Sequence, residues 1–299
     1  MATLFSKFVT HYTSTSKAST LRQLYSYSWN GIDKQDEVKA IESYLLNSNV
    51  GVDFLNLNVA PAASNTDFVV KFASIFCHKK PIVKPVGQPS PAVHGQTVGC
   101  ELGDLFVMFV LMDAGDKVHH ARGALFQAKK IPKLDKPTQQ FLYDRAESME
   151  VPSYLIQRKG SPGSMRKLPT YDDGRAHGFR YLILNGPMQD VSSHFCPWDN
   201  TYWTQWATFM DGLLSGTTGL PADVNTPTSA WDHIVTDLIE MVQYTNGQKK
   251  PARGNSVITQ ITSSCFNNYR DRSQWSMLLD ERRDGVPTLL VIAHAPNVG

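Results

Sequence analysis

The chain has 299 residues, 41% hydrophobic and 19% charged, with a formal net charge of +2. That balance supports a buried core and excludes long disorder, while the near-neutral charge excludes a protein held on nucleic acid by overall electrostatics. Cysteines at 77, 100, 196 and 265 lie too far apart for zinc-finger spacing and read as reduced thiols.

Local basic clusters remain, at Lys79, Lys80 and Lys84, at Lys129, Lys130 and Lys133, and at Lys249, Lys250 and Arg253. A solvated surface accounts for most of them. The N-terminus lacks a basic start followed by an apolar signal core, and no apolar run reaches the length of a membrane span. The expected location is the cytoplasm, with no membrane contact.

In chain order, the first fifty residues read as mixed helix, with Val38, Ile41, Tyr44 and Leu45 at helical spacing. Residues 51 to 63 suggest a short apolar element entering a loop at Pro61. A helix is predicted over 64 to 79, capped by Ser64, Asn65 or Thr66 and carrying Phe68, Val69, Phe72, Ile75 and Phe76 on one face. Residues 82 to 86 form a short or edge strand between Pro81 and Pro85.

The most apolar stretch, 98 to 112, predicts a strand buried on both faces. Asp113 to Asp116 turns the chain, and 123 to 131 supplies the partner strand. A helix over 139 to 149, an irregular loop over 158 to 178 and a strand over 181 to 185 follow. Further on, helices are expected near 201 to 214 and 229 to 244, and a late strand at 288 to 293. The fold class is therefore α/β: a mixed central sheet flanked by helices, with N-terminal helical and C-terminal mostly helical additions. The chain divides into an N-terminal helical region (1 to 60), a core (61 to 190) and an aromatic-rich accessory region (191 to 299).

Chemistry concentrates in the centre. Asp104 immediately precedes a seven-residue apolar run, and Gln127 and Lys129 sit within the apolar segment Ala124 to Lys129. Burying an ion costs several kcal/mol unless it is paired or binds a metal. Alternation along a strand puts Gln127 and Lys129 on one face. An Asp, a Gln and a Lys on adjacent strands suit metal-assisted phosphodiester hydrolysis, with Mg2+ or Mn2+ held by oxygen ligands and water.

At these residues the sequence resembles the PD-(D/E)XK, or restriction-endonuclease-like, nuclease superfamily. The resemblance implies a core ordered helix, three strands, helix, strand. Its acidic residue corresponds to Asp104, and its (D/E)xK pair to Gln127-Ala-Lys129, similar to the QxK form of Mrr-type enzymes. Downstream, Gln139-Gln-Phe-Leu-Tyr143 is similar to the QxxxY motif of RecB-like nucleases. Two departures stand out: Gln127 replaces an acid, and the predicted helix over 64 to 79 offers only Asp67 for the family's helical glutamate. Glu101 is the compensating carboxylate, provided a bulge brings it to the face of Asp104.

Other motifs give weaker signals. The pair His119-His120 reads as exposed histidines in the hairpin loop, and His78 as a helix-terminal residue. Neither a GxSxG elbow nor a Walker phosphate loop occurs. Trp198, Trp203, Trp206 and Trp231 fit core packing better than base stacking.

The resulting expectation is a magnesium- or manganese-dependent endonuclease acting on DNA in restriction or antiphage defence. Catalytic residues are Asp104, Gln127, Lys129 and Glu101, metal ligands are Asp104, Gln127 and Glu101, and support comes from Gln139, Tyr143 and Asp67. The low charge calls for a partner such as an ATPase, helicase or other defence subunit, and the family implies a homodimer. The alternatives are an inactive nuclease-fold subunit that binds nucleic acid or a partner protein, and an interaction protein docking through its aromatic C-terminal part.

Overall fold

The computed structural model describes residues 2–77, 81–88, 92–93, 96–131, 136–153, 162–184, 190–192, 203–245 and 285–298. The helices are α1 (Leu4–Tyr12), α2 (Thr15–Asn30), α3 (Glu37–Leu46), α4 (Val52–Phe54), α5 (Ala60–Ala63), α6 (Pro137–Asp144), α7 (Arg175–Gly178), α8 (Trp206–Ser215) and α9 (Ala230–Thr245). A π-helical turn, Leu55–Val59, joins α4 to α5. The first strands are β1 (Val69–Ile75), β2 (Ile82–Val86), β3 (Ala92–Val93), β4 (Gln96–Thr97), β5 (Cys100–Glu101), β6 (Leu105–Asp113) and β7 (Val118–Lys129). After α6 come β8 (Ser148–Glu150), β9 (Met165–Lys167), β10 (Phe179–Ile183), β11 (Asp190–Ser192), β12 (Trp203–Thr204), β13 (Leu220–Pro221) and β14 (Thr288–Ala295).

All nine residues of β6 are buried, as the continuous apolar run requires of a strand covered on both faces. It pairs antiparallel with β7, with a register shift between Leu111 and Met112. The connecting turn is organised by Asp113, whose Oδ1 accepts from the backbone N–H groups of Gly115 (2.9 Å) and Lys117 (3.0 Å). The central sheet runs β1-β14-β6-β7-β10-β11-β12, with β13 added against β7. It is mixed: β14 lies parallel to β6 and β10 parallel to β7, while the other pairs are antiparallel.

Period-two alternation sends the strand residues into two cores. Leu105, Val107, Phe109 and Leu111 join Phe126, Leu289 and Val291 against α1, α2, α3 and α8. There Trp206 stacks on Trp29 (centroids 4.6 Å apart) and donates its indole N–H to the Tyr44 hydroxyl at 2.9 Å. The opposite face places Phe106, Met108, Val110, Leu125, Tyr181 and Ile292 against α6 and α9. Each large side chain so buried contributes about 1.5–3 kcal/mol.

Over that second face lies a small sheet in the order β5-β2-β8-β9. It is tied to α9 by a buried ion pair, Arg166 Nε to Asp237 Oδ2 at 2.5 Å. The segment over 82 to 86 is a strand as expected, but it belongs to this small sheet. Among the described residues no helix is long and apolar enough to cross a membrane.

Residues 69 to 75 form a strand, not part of a helix over 64 to 79. The residues read as helix caps instead build a turn: Asn65 Oδ1 accepts from the amides of Asp67 (3.0 Å) and Phe68 (2.7 Å). The β-branched pair Val69 and Val70 then favours extension. Asn56 fixes the free edge of β1, its side-chain amide exchanging two 2.8 Å bonds with the backbone of Phe72.

Residues 52 to 63 are helical throughout, and Pro61 comes just after the π-helical turn, where the Ala60 N–H reaches back to the Leu55 carbonyl. Helix α6 ends at Asp144, and the remainder of the stretch predicted as helix to 149 enters β8. The described part of the expected loop over 158 to 178 contains β9 and α7. His119 and His120 lie within β7: the first pairs with Asp113 at 2.6 Å and the second stacks on Phe5. Burial and Arg122 lower the His120 pKa to about 4. The readings on His78, Lys79, Lys80, Lys133, Trp198, Lys249, Lys250, Arg253, Cys196 and Cys265 lie outside the described residues.

Candidate functional site

Pairing between β6 and β7 begins at Leu105 opposite Phe126, so β7 runs on beyond the start of β6. Asp104 lies at this boundary and is buried, its N–H donating to the Phe126 carbonyl at 2.8 Å. Its side chain folds over the unpaired part of β7. Oδ2 accepts from the Ala128 N–H at 2.7 Å and from the side-chain amide of Gln127.

Gln127 and Lys129 are both buried and alternate with Phe126 and Ala128 along β7. Phe126 belongs to the first core and Leu125 to the second, so the Gln and the Lys face the second, toward α6. There the Lys129 ammonium donates to Gln139 Oε1 at 3.2 Å. Gln127 lies opposite Tyr181 of β10, and Lys129 opposite Ile183.

Helix α6 braces the group at two points. Gln139 contacts Lys129, and one turn on, Tyr143 donates its hydroxyl proton to the Leu102 carbonyl at 3.0 Å. The buried Tyr143 phenol has its pKa raised by burial and by the neighbouring Asp104. Tyr181 is raised too, chiefly by burial and then by Asp144. Ionisation of either phenol is thus strongly opposed beside the carboxylates.

Gly103, between Leu102 and Asp104, sits where a side chain has no room. A Cβ there would stand 2.6 Å from Leu125 Cδ1 and 2.9 Å from the Tyr143 hydroxyl. This close approach and the part played by Tyr181 were not identified from sequence. The glycine's position directly before Asp104 was the available signal.

Among the described residues Gln127 Oε1 is one of several buried polar atoms without a hydrogen-bond partner. An unsatisfied buried acceptor costs about 1–3 kcal/mol. The donor types of Asp104 and Gln127, a carboxylate and an amide carbonyl, are those a hard divalent cation takes together with water. Among the described residues no group of three or more His, Cys, Asp or Glu is arranged to hold a metal ion.

The other sequence candidates lie elsewhere. Glu101 is in β5, opposite Ile82 of β2, and is partly exposed. Burial, and after it the Glu101 charge, push the Cys100 thiol up to about 12, against the pull of Lys136. Asp67 stands in the turn before β1. Val69 aligns with His294, and His294 with Met112. Asp67 thus belongs to the far end of the sheet, about 26 Å or more from Asp104 along the strands.

No protein-family model, curated protein or solved structure matches this chain. Its reading therefore rests on the site itself.

Proposed function

We propose that Asp104, Gln127 and Lys129 form the site of a metal-dependent nuclease that hydrolyses DNA phosphodiester bonds, on a restriction-endonuclease-like core. The observation that carries the reading is that Asp104, Gln127 and Lys129 are all buried at the end of β7, with Asp104 bonded to the Gln127 amide and Lys129 on the same strand face as Gln127. A sheet that only needed to pack would gain nothing from burying a carboxylate, an amide and a lysine together.

When bound, Mg2+ or Mn2+ supplies a more acidic water and neutralises charge developing on the phosphate. Asp104 and the Gln127 carbonyl would hold the cation, and water would complete its shell. The Lys129 ammonium, fixed by Gln139, offers hydrogen bonds to a non-bridging phosphate oxygen as charge builds there. Tyr143 keeps Leu102, and so Asp104, in place. The sequence provides no ATPase motif and little net positive charge. A partner subunit in a restriction or antiphage system accordingly belongs to the proposal. Glu101 is not included among the ligands, because it belongs to the small sheet.

A second reading has one observation in its favour. Asp104 Oδ2 is already engaged by the Ala128 N–H and the Gln127 amide, as in a nuclease-fold subunit that binds nucleic acid or a partner without cutting.

Incubating the purified chain with labelled single- and double-stranded DNA and RNA, with Mg2+, Mn2+ or chelator, tests the proposal. Cation-dependent cleavage of DNA is expected. Binding without cleavage would favour the second reading.

A further inference from the structure

Beyond Phe126, β7 has no β6 residue to pair with on one edge, and its amides there find side-chain acceptors. Alternate amides of a strand face the same edge. The first, Ala128 N–H, goes to Asp104 Oδ2 at 2.7 Å. The next, Lys130 N–H, goes to Glu37 Oε1 at 2.9 Å. Two carboxylates from distant parts of the chain thus continue the ladder that β6 leaves unfinished, at amides roughly 7 Å apart.

Glu37 is firmly mounted. It opens α3, whose N-cap Asp36 accepts from the Lys39 N–H at 2.8 Å, and α3 buries Ala40, Ile41, Tyr44 and Leu45 in the first core. On the other edge of β7, the Lys129 carbonyl accepts from the Leu184 N–H at 2.9 Å. The backbone on both sides of the Lys129–Lys130 peptide is therefore held, by β10 on one edge and Glu37 on the other. Immediately afterwards Lys130 and Ile131 are exposed. Without Glu37, the Lys129–Lys130 peptide itself would be held from β10 alone, with the next anchor on the other edge at Ala128.

We propose that Glu37 is a positioning residue: by accepting the Lys130 N–H, it fixes the end of β7 and thereby the direction of the Lys129 side chain. The N-terminal helical layer thus forms part of the site's support. This role rests on the nuclease reading for its effect on activity, while the strand clamp itself does not.

The test compares Glu37→Ala with Glu37→Gln, which keeps an oxygen acceptor and removes the charge. Hydrogen exchange is measured at the Lys130 amide, and kcat and KM for Mn2+-dependent DNA cleavage are measured alongside. Glu37→Ala is expected to speed Lys130 exchange about tenfold and to lower kcat about tenfold at unchanged KM. Glu37→Gln should stay within about twofold of wild type in both. Unchanged exchange in Glu37→Ala would overturn the clamp. Loss of cleavage in Glu37→Gln with exchange intact would show that the charge, not the hydrogen bond, matters, and would overturn the positioning role. If the wild type does not cut DNA, the nuclease reading fails, and the clamp is decided by the exchange data alone.

Discussion

Replacing Asp237 by Ala tests how the small sheet is held over the site. Arg166 and Asp237 are 1% and 3% exposed at their side chains, with contacts of 2.5 Å from Nε and 3.3 Å from Nη2. Removing one partner of such a pair strands the other charge in the interior, at about 3–5 kcal/mol. Arg166 Nη1 keeps its bonds to the carbonyls of Gly163 (2.6 Å) and Met165 (3.2 Å), which stabilise the stranded guanidinium. The expected loss is therefore about 3 kcal/mol, at the lower end of that range. Asp237→Asn, which keeps one carbonyl acceptor, should lose about half as much. Joint replacement by Met and Leu should be nearly neutral, since desolvation and attraction are removed together. Urea unfolding followed by tryptophan fluorescence gives the values. A loss below about 1 kcal/mol for Asp237→Ala would refute the claim that this pair is a buried, mutually dependent clamp.

Other predictions concern the site and the turn. Adding Mn2+ at about 100 times its Kd should stabilise the wild type by about 2.7 kcal/mol, and Asp104→Ala should abolish the shift in a thermal melt. Gly103→Ala should destabilise by about 1–3 kcal/mol and reduce cation binding, since its methyl group collides with Leu125 and the Tyr143 hydroxyl; calorimetry on the variant checks both. The Asp113 carboxyl is held below the usual carboxylate range by His119 and the Lys117 and Gly115 amides, in spite of the opposing effect of burial. Its contribution to stability is present above the unfolded-state pKa of about 3.9 and is lost as pH falls through the lower folded value. Asp113→Asn should therefore flatten the acid limb of the stability curve, measured as melting temperature between pH 5 and pH 2.

The parts of the fold that were legible from sequence are those set by local patterns. The run from Leu105 to Met112 has a single physical solution, a strand covered on both faces, and Asp113 with Gly115 makes the turn into β7. Alternation along β7 puts Gln127 and Lys129 on one face, while Asp104 stands just before β6 begins. Segment 64 to 79 misled because its aromatic and β-branched residues satisfy a helical stripe and an extended strand equally well. Pairing with β14, more than two hundred residues away, decides the matter. The position of β14 between β1 and β6 is likewise a long-range choice that no local pattern encodes. Glu37 was invisible for the same reason: its contact with Lys130 spans 93 residues. His119 and His120 were misplaced because the strand starts earlier than its apolar part.

The central claim is that Asp104 and Lys129 act together in cation-dependent phosphodiester cleavage. The most direct measurement compares plasmid and single-strand cleavage by wild type, Asp104→Ala and Lys129→Ala, each shown to be folded, with Mg2+ or Mn2+ and with neighbouring-gene products. Cutting by the wild type is expected, falling by at least about a hundredfold in both variants. Cleavage that persists unchanged in either folded variant would contradict that claim.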